Sequence, residues 1–224
     1  MADVSRSEKY PTRLLARSRL SADTLQIDLE RPSGFSFVPG QGIRLSSNGL
    51  EREYTLVCGP NDDQLSICVQ VVENGAFSPL LARLETGNSL LLSGPHGYFT
   101  FQTKERPAVF VATGTGIAPF VSMVRAGVSG FTLLQGATTS TDLHYRDITQ
   151  PASRCYVGCI TGEQAKEEEA AWRHRGRVSD FLKKKLSPGI FDFYLCGRRE
   201  MVRDVVSIVD DLFSGSKVFF EIFF

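Results

Sequence analysis

"PAVFVATGTGIAPFVSMVRAG" (residues 107–127) opens on an unbroken apolar run, turns on two glycines and continues as an amphipathic segment beyond Pro119. A short apolar run bounded by turn residues reads as a strand buried on both faces, and the segment that starts at a proline reads as a helix. Strand-like runs recur downstream as "GFTLLQGA" (130–137), "RCYVGCIT" (154–161), "IFDFYLCG" (190–197) and "KVFFEIFF" (217–224). Between them, "STDLHYRDI" (140–148) and "RREMVRDVVSIVDDLF" (198–213) read as helices. "EQAKEEEAAWRHRG" (163–176) and "RVSDFLKKKL" (177–186) read as helical or partly looped, with the charge run as a solvated face. Strands alternating with helices specify βαβ units and a parallel sheet covered on both faces.

Upstream of Arg106 the pattern changes. "TRLLARSRL" (12–20), "DTLQIDLE" (23–30), "GIRLSS" (42–47), "REYTLVC" (52–58), "QLSICVQVV" (64–72) and "SLLLSG" (89–94) are short apolar or alternating runs, broken by turns such as "VPGQG" and "GPNDD". Such spacing predicts an antiparallel β-barrel or sandwich. A short helix interrupts it, with Ser78 as its cap and Pro79 in its first turn. The expected fold is therefore α+β in two domains, an N-terminal antiparallel β-barrel over residues 1–103 and a C-terminal α/β domain over 104–224, with the boundary at "TKERP".

The chain has 224 residues, 42% apolar and 22% charged, enough for a sizeable core. Its formal net charge of +0 points to neither nucleic acid nor an anionic membrane. No apolar run approaches the ~20 residues that span a bilayer, and "MADVSRSEKYPTRLL" lacks a signal-peptide stretch, so the expected location is the cytoplasm. The five cysteines are scattered without a CxxC pair, which argues against disulfides and metal. Cys155 and Cys159 share a strand face and read as core residues. The three histidines are far apart and form no ligand motif, so no metal site is expected.

Several stretches carry phosphate or ring chemistry. In an open parallel sheet, ligands sit past the carboxyl ends of the strands. "TGTGIAP" lies at one such end, where glycines let the backbone approach a pyrophosphate at a helix start; a plain strand–turn–helix junction explains it too. Cys196-Gly197 falls at another strand end, either as a surface for a flat ring or as a core cysteine and a turn. "REYTL" puts Arg52 and Tyr54 on one strand face and Thr55 on the other. That set fits a ring-plus-phosphate ligand or an ordinary exposed strand. "NGAFS" brings Gly75 and Ser78 to the short helix, a second phosphate candidate. The closing "VFFEIFF" reads as a last core strand, although its final aromatics are hard to bury at a chain end.

Together and in this order, these motifs resemble the ferredoxin–NADP(+) reductase family. The resemblance runs from about Pro11 to Phe224 and rests on Arg52-Glu53-Tyr54-Thr55, Gly75-Ala76-Phe77-Ser78, Gly94-Pro95-His96-Gly97-Tyr98-Phe99, Gly114-Thr115-Gly116-Ile117-Ala118-Pro119, Cys196-Gly197 through Met201, and Glu221-Ile222-Phe223. It implies a flavin-binding barrel and an NAD(P)-binding domain, with FAD and NADPH or NADH as cofactors. It also implies that Arg52 pairs with the flavin phosphate, Tyr54 stacks, and Thr55 hydrogen-bonds near flavin N5. Leu56, Gln70 and Val71 adjoin the flavin, and Gly75, Ala76, Phe77 and Ser78 hold its pyrophosphate. Thr115 and Gly116 receive the nicotinamide nucleotide. Thr161, Arg173 and Arg175 lie toward its adenosine end. Cys196 and Glu221 flank the hydride-transfer site with Gly197, so the implied catalytic set is Thr55, Cys196 and Glu221. Phe223 or Phe224 covers the flavin as a movable lid.

Members that prefer NADP often carry Ser-Arg or Thr-Arg after the third sheet strand, where this chain has Thr161-Gly162. Arg173, Arg175, Arg177, Arg198 and Arg199 supply cations nearby, which inclines the choice toward NADPH and leaves NADH open. The resemblance implies electron transfer to ferredoxin or flavodoxin. A stand-alone reductase for an oxygenase, a cytochrome or free flavin is the other enzymatic reading, and a flavin-free binding subunit the non-enzymatic one. No nucleic-acid or membrane partner is expected. The chain carries no iron–sulfur spacing, so the expected acceptor is a separate molecule.

Overall fold

Alternating and apolar runs in the first hundred residues build β1 (Lys9–Arg19), β2 (Thr24–Glu30), β3 (Gly42–Ser47), β4 (Leu50–Thr55), β5 (Gln64–Gln70) and β6 (Ser89–His96), with α1 (Ser78–Arg83) between the last two. The computed structural model describes residues 8–102, 105–162 and 170–223. The strand order is β4-β3-β6-β1-β2-β5 and each pair is antiparallel. A bridge between Leu56 and Ile67, with Val57 N–H donating to Ser66 O at 2.8 Å, joins the two outer strands and closes the barrel. Inward positions such as Leu14, Ile27, Ile43, Leu45 and Leu65 fill it, and Phe77 and Leu81 of the α1 segment complete its core.

The second domain is β7 (Ala108–Thr113), α2 (Ala118–Arg125), β8 (Thr132–Ala137), α3 (Arg146–Ala152), β9 (Cys155–Ile160), β10 (Arg173–Arg175), α4 (Val178–Lys185), β11 (Asp192–Arg198), α5 (Arg199–Leu212) and β12 (Lys217–Phe223). The sheet runs β10-β9-β8-β7-β11-β12, all parallel. Successive side chains of β7 serve opposite faces, as a strand's period of two requires. Phe110 and Ala112 join α2 on the side facing the barrel, and Val109 and Val111 pack with α4 and α5 on the other. Barrel residues Val57, Cys68 and Phe99 enter the first of these cores, so apolar packing continues across the domain junction. Ser122 Oγ donates to Cys58 O at 2.8 Å, Arg125 meets Asp62 at 3.3 Å and Tyr145 Oη donates to Gln26 Oε1 at 3.1 Å across the same junction.

Four expectations need correction. Residues 173–175 form β10, an edge strand pairing with β9, where the sequence reads as helix or loop. The remainder of that charge run, residues 163–169, lies outside the described residues, as does the domain boundary at 103–104. "STDLHYRDI" is not a continuous helix: a short 3-10 turn over Ser140–Asp142 is separated from α3 by Tyr145, held at φ 58°. Ser78 does not cap α1; it is the first helical residue, and its hydroxyl accepts the Val72 N–H at 3.0 Å. Cys155 starts β9 in an exposed position, while Cys159 is buried as expected.

Candidate functional site

The carboxyl ends of the parallel strands meet the barrel at one corner. Strand register sets Glu221 of β12 beside Cys196 of β11, and Cys196 beside Ala112 of β7. Thr55, the last residue of β4, reaches this corner from the barrel, and its hydroxyl donates to Glu221 Oε2 at a long 3.5 Å. The glycine turn after β7 packs directly on the end of β11. A Cβ on Gly116 would collide with the Cys196 carbonyl and stand 2.6 Å from Gly197 Cα, so only glycine fits. Gly197 itself sits at φ 136° and packs against Thr113, whose Oγ1 accepts the Arg198 N–H at 3.1 Å.

The electrostatics of this corner follow from burial. Cys196 is fully buried, which drives its thiol well above the usual range, with the Glu221 charge adding to the effect. It is a small neutral group and not a thiolate. Burial also raises the Glu221 carboxyl, the Thr55 hydrogen bond opposes the shift and the Glu53 charge adds to it. The folded state therefore holds the Glu221 proton more tightly than the unfolded chain does, and stability falls as pH rises from the ordinary glutamate range through the raised value. Glu221→Gln is expected to flatten that fall and to melt higher than the parent above this window, with no gain below it. Melting curves against pH check this, and a parallel pair of curves would contradict it.

On the barrel, Arg52 is exposed and Tyr54 half-buried on β4, and the Tyr54 ring stacks on Phe77 at 6.2 Å and 29°. Burial pushes the Tyr54 phenol up to about 12, so it remains a neutral ring. The loop leading to α1 turns tightly: Gly75 N–H donates to Val72 O at 2.8 Å, and a Cβ on Gly75 would stand 3.0 Å from Val72 O and 3.3 Å from Ser78 Oγ. An aromatic face, a guanidinium and a backbone cradle thus share one neighbourhood, a donor set that fits a ring-plus-pyrophosphate cofactor such as FAD. Ala76 is exposed on this loop. Leu56 and Phe77 turn their side chains into the barrel core, so only their backbones remain available to a ligand. Val71 packs against that core and donates its N–H to Asp23 O at 2.7 Å.

Next to the corner, a cleft of ≈ 410 Å³ follows the rim of the sheet. Thr113, Gly114 and Thr115 line it after β7, Gly136, Ala137 and Thr138 after β8, and Thr161 after β9. Arg177 and Ser179 at the start of α4, with Arg198, Met201 and Asp204 around the first turns of α5, form one wall. Asp23, Thr24 and Gln70 of the barrel, with Asp142 and His144, form the opposite wall. Thr161 thus lines the cleft as expected. Arg173 and Arg175 belong to β10 and are not among its lining residues; among the described residues, the cleft's cations are Arg177 and Arg198. Gln70 lines this cleft. Phe223 is half-buried against the barrel-facing core, in register with Arg198, and Phe224 lies outside the described residues. Among the described residues, no three His, Cys, Asp or Glu side chains cluster to hold a metal.

Sequence reasoning passed over Gly136–Thr138, although a strand end on the same rim was signal enough. Asp23, Asp142 and His144 left no signal, because turns from separate segments bring them together.

A family model described as an oxidoreductase FAD-binding domain matches residues 11–101, and one described as an oxidoreductase NAD-binding domain matches residues 110–207. A ferredoxin–NADP reductase B of Sorangium cellulosum is 35% identical over 161 residues, 66% of this chain and 66% of that protein. The toluate 1,2-dioxygenase electron transfer component of Pseudomonas putida is 28% identical over 222 residues, 91% of this chain and 65% of that protein. The chain therefore spans about two thirds of the length of these relatives. The crystal structure of a ferredoxin NADP+ reductase from Neisseria gonorrhoeae, with bound FAD and NADP, superposes with a TM-score of 0.84 at 21% identity, covering 98% of this chain and all of the other. The two models fall in turn on the barrel and on the parallel sheet, and the chain belongs to the ferredoxin–NADP(+) reductase family of FAD- and NAD(P)-binding oxidoreductases.

Proposed function

We propose that this protein moves electrons from NAD(P)H through FAD to a separate ferredoxin-type iron–sulfur protein. The observation that carries this reading is the corner where Thr55 of the barrel meets Glu221 of the last strand at 3.5 Å beside Cys196, since both domains contribute to it. Bound FAD supplies the redox chemistry, accepting electrons as a pair and releasing them singly.

The chain's own residues hold and orient. Arg52 and the Gly75–Ser78 turn grip the cofactor's phosphates, and the Tyr54 ring stacks on it. Thr55 hydrogen-bonds at the reacting edge near N5, and Glu221 orients it by accepting the Thr55 O–H at 3.5 Å. Neutral Cys196 and the bare backbone of Gly116 and Gly197 let the nicotinamide lie flat. Thr115 and the Arg177–Arg198 wall take its phosphates, with NADPH or NADH as the nucleotide.

Relatives named as electron transfer components of toluate and anthranilate dioxygenases support a second reading, a reductase serving an oxygenase. A flavin-free binding subunit is disfavoured by the Arg52, Tyr54 and Ser78 set. A reduction assay comparing NADPH with NADH, followed by a screen of ferredoxin, flavodoxin, cytochrome, an oxygenase component and free flavin as acceptors, separates these readings. A colourless protein that cannot be loaded with flavin would overturn them all except the binding subunit.

Phe223 is proposed as the aromatic that the nicotinamide displaces. A stacked aromatic contributes about 0.5–1.5 kcal/mol beyond burial, so Phe223→Ala is expected to tighten oxidised-nucleotide binding by up to about tenfold and to slow turnover. Titration against the flavin spectrum reads this. Unchanged nucleotide affinity with a steep loss of thermal stability would make Phe223 a core residue, at about 3–5 kcal/mol for a buried phenylalanine.

A further inference from the structure

We infer that the flavin domain supplies part of the dinucleotide site, with the Asp23 carboxylate accepting a hydrogen bond from a ribose hydroxyl on the adenosine half. The inference rests on the dinucleotide reading of the rim cleft.

Asp23 lies on the turn between β1 and β2 and lines that cleft. Its carboxylate is fixed in place: Thr24 and Ser21 hydroxyls donate to Oδ1 at 2.9 and 3.2 Å, and Gln70 Nε2 donates to Oδ2 at 2.7 Å. The Gln70 bond leads these contacts in holding the carboxyl below its usual range, against the opposing effect of partial burial, so it is ionised at neutral pH. A carboxylate offers about four lone-pair sites, two on each oxygen, and these side-chain bonds leave acceptor capacity on Oδ2.

Charge decides what that oxygen meets. The opposite wall carries Arg177, Arg198 and Asp204, the last ion-paired with Arg203 at 3.4 Å, whereas this wall carries Asp23 and Asp142 with no arginine or lysine among the described lining residues. Phosphates are drawn to the arginines and repelled by the carboxylates, so a neutral hydrogen-bond donor faces Asp23. In a dinucleotide, the ribose hydroxyls are such donors.

Position selects the ribose. Asp23 is close enough to His144, in the loop after β8, for its charge to bear on that imidazole. The Thr55–Glu221–Cys196 corner lies at β11 and β12, across β7 in the sheet order. From β8 to β12 is three strand spacings, about 14 Å. With the nicotinamide at the corner and the pyrophosphate over the glycine turn after β7, the adenosine ribose falls to the Asp23 side.

The test uses FAD-loaded protein titrated with ADP and with 2′,3′-dideoxy-ADP, for the parent and for Asp23→Asn. The parent is expected to prefer ADP by about tenfold, the worth of a hydrogen bond to a charged acceptor, and the variant to lose that preference. Equal affinity of the parent for both nucleotides overturns the inference without needing a variant. A variant that keeps the preference, or that loses both ligands equally because the turn has been disturbed, overturns it as well. If the parent binds neither ADP nor NAD(P)H, the dinucleotide reading itself falls; if it binds NAD(P)H but ignores the hydroxyls, only this inference falls.

Discussion

Gly116→Val is expected to slow reduction of the bound flavin by NAD(P)H at least ~100-fold while the barrel keeps its flavin. A Cβ at this position would run into the Cys196 carbonyl and stand 2.6 Å from Gly197 Cα, both backbone atoms of a central strand. Neither can rotate away as a side-chain tip would, so the glycine turn after β7 must lift from the end of β11. Overpacking of this kind costs about 1–3 kcal/mol of stability. The larger effect is on geometry, because a displacement of about 1 Å in a positioning element can cost ~100-fold in rate. Arg52 and Ser78 lie on the barrel, away from this contact, so flavin content should be preserved. Stopped-flow reduction of flavin-loaded variant and parent checks the rate. A rate within a few-fold of the parent would mean that nicotinamide placement does not depend on the packing of the Gly116 turn against the end of β11.

Arg52→Ala is expected to weaken flavin retention by roughly 10- to 100-fold, since a hydrogen bond to a charged group is worth about 1.5–3 kcal/mol. Arg52 is exposed, and its Nη1 donates to the Glu51 carbonyl at 2.7 Å, which leaves the folded barrel little dependent on its charge. Loss of flavin without loss of melting temperature is therefore the expected signature. Dialysis followed by the ratio of flavin to protein absorbance measures it. Full flavin occupancy after extensive dialysis would move the phosphate grip to another part of the barrel. Ser78→Ala serves as the companion variant, with one difference visible in the fold. Its hydroxyl also accepts the Val72 N–H at 3.0 Å, so that substitution loosens the loop as well as the cofactor.

The unbroken apolar run of β7 and the strand-turn-helix unit after it made the parallel sheet legible, because burial on both faces leaves such a run in sequence. The barrel was legible from its turns. β10 was not: three residues, Arg173–Arg175, carry no apolar period, and only pairing with β9 makes them a strand. The break in "STDLHYRDI" depends on Tyr145 adopting φ 58°, a conformation tied to tertiary contacts such as its hydrogen bond to Gln26 and not to local propensity. The corner residues Thr55, Cys196 and Glu221 could be named from motifs, and their register in adjacent elements brings them together. The barrel-side wall of the cleft, Gln70 apart, could not be named. Asp23 and His144 are far apart in the chain, and nothing in either local sequence marks a ligand.

The central claim is that both domains act on one hydride-transfer corner, and a single anaerobic mixing experiment tests it most directly. Flavin-loaded protein is mixed with NADPH, and in a second shot with NADH, while the oxidised-flavin absorption band is followed. The account predicts that the band bleaches in one turnover with at least one of the two nucleotides, with no acceptor protein present. A flavin-loaded protein whose band stays unchanged with both nucleotides would contradict it.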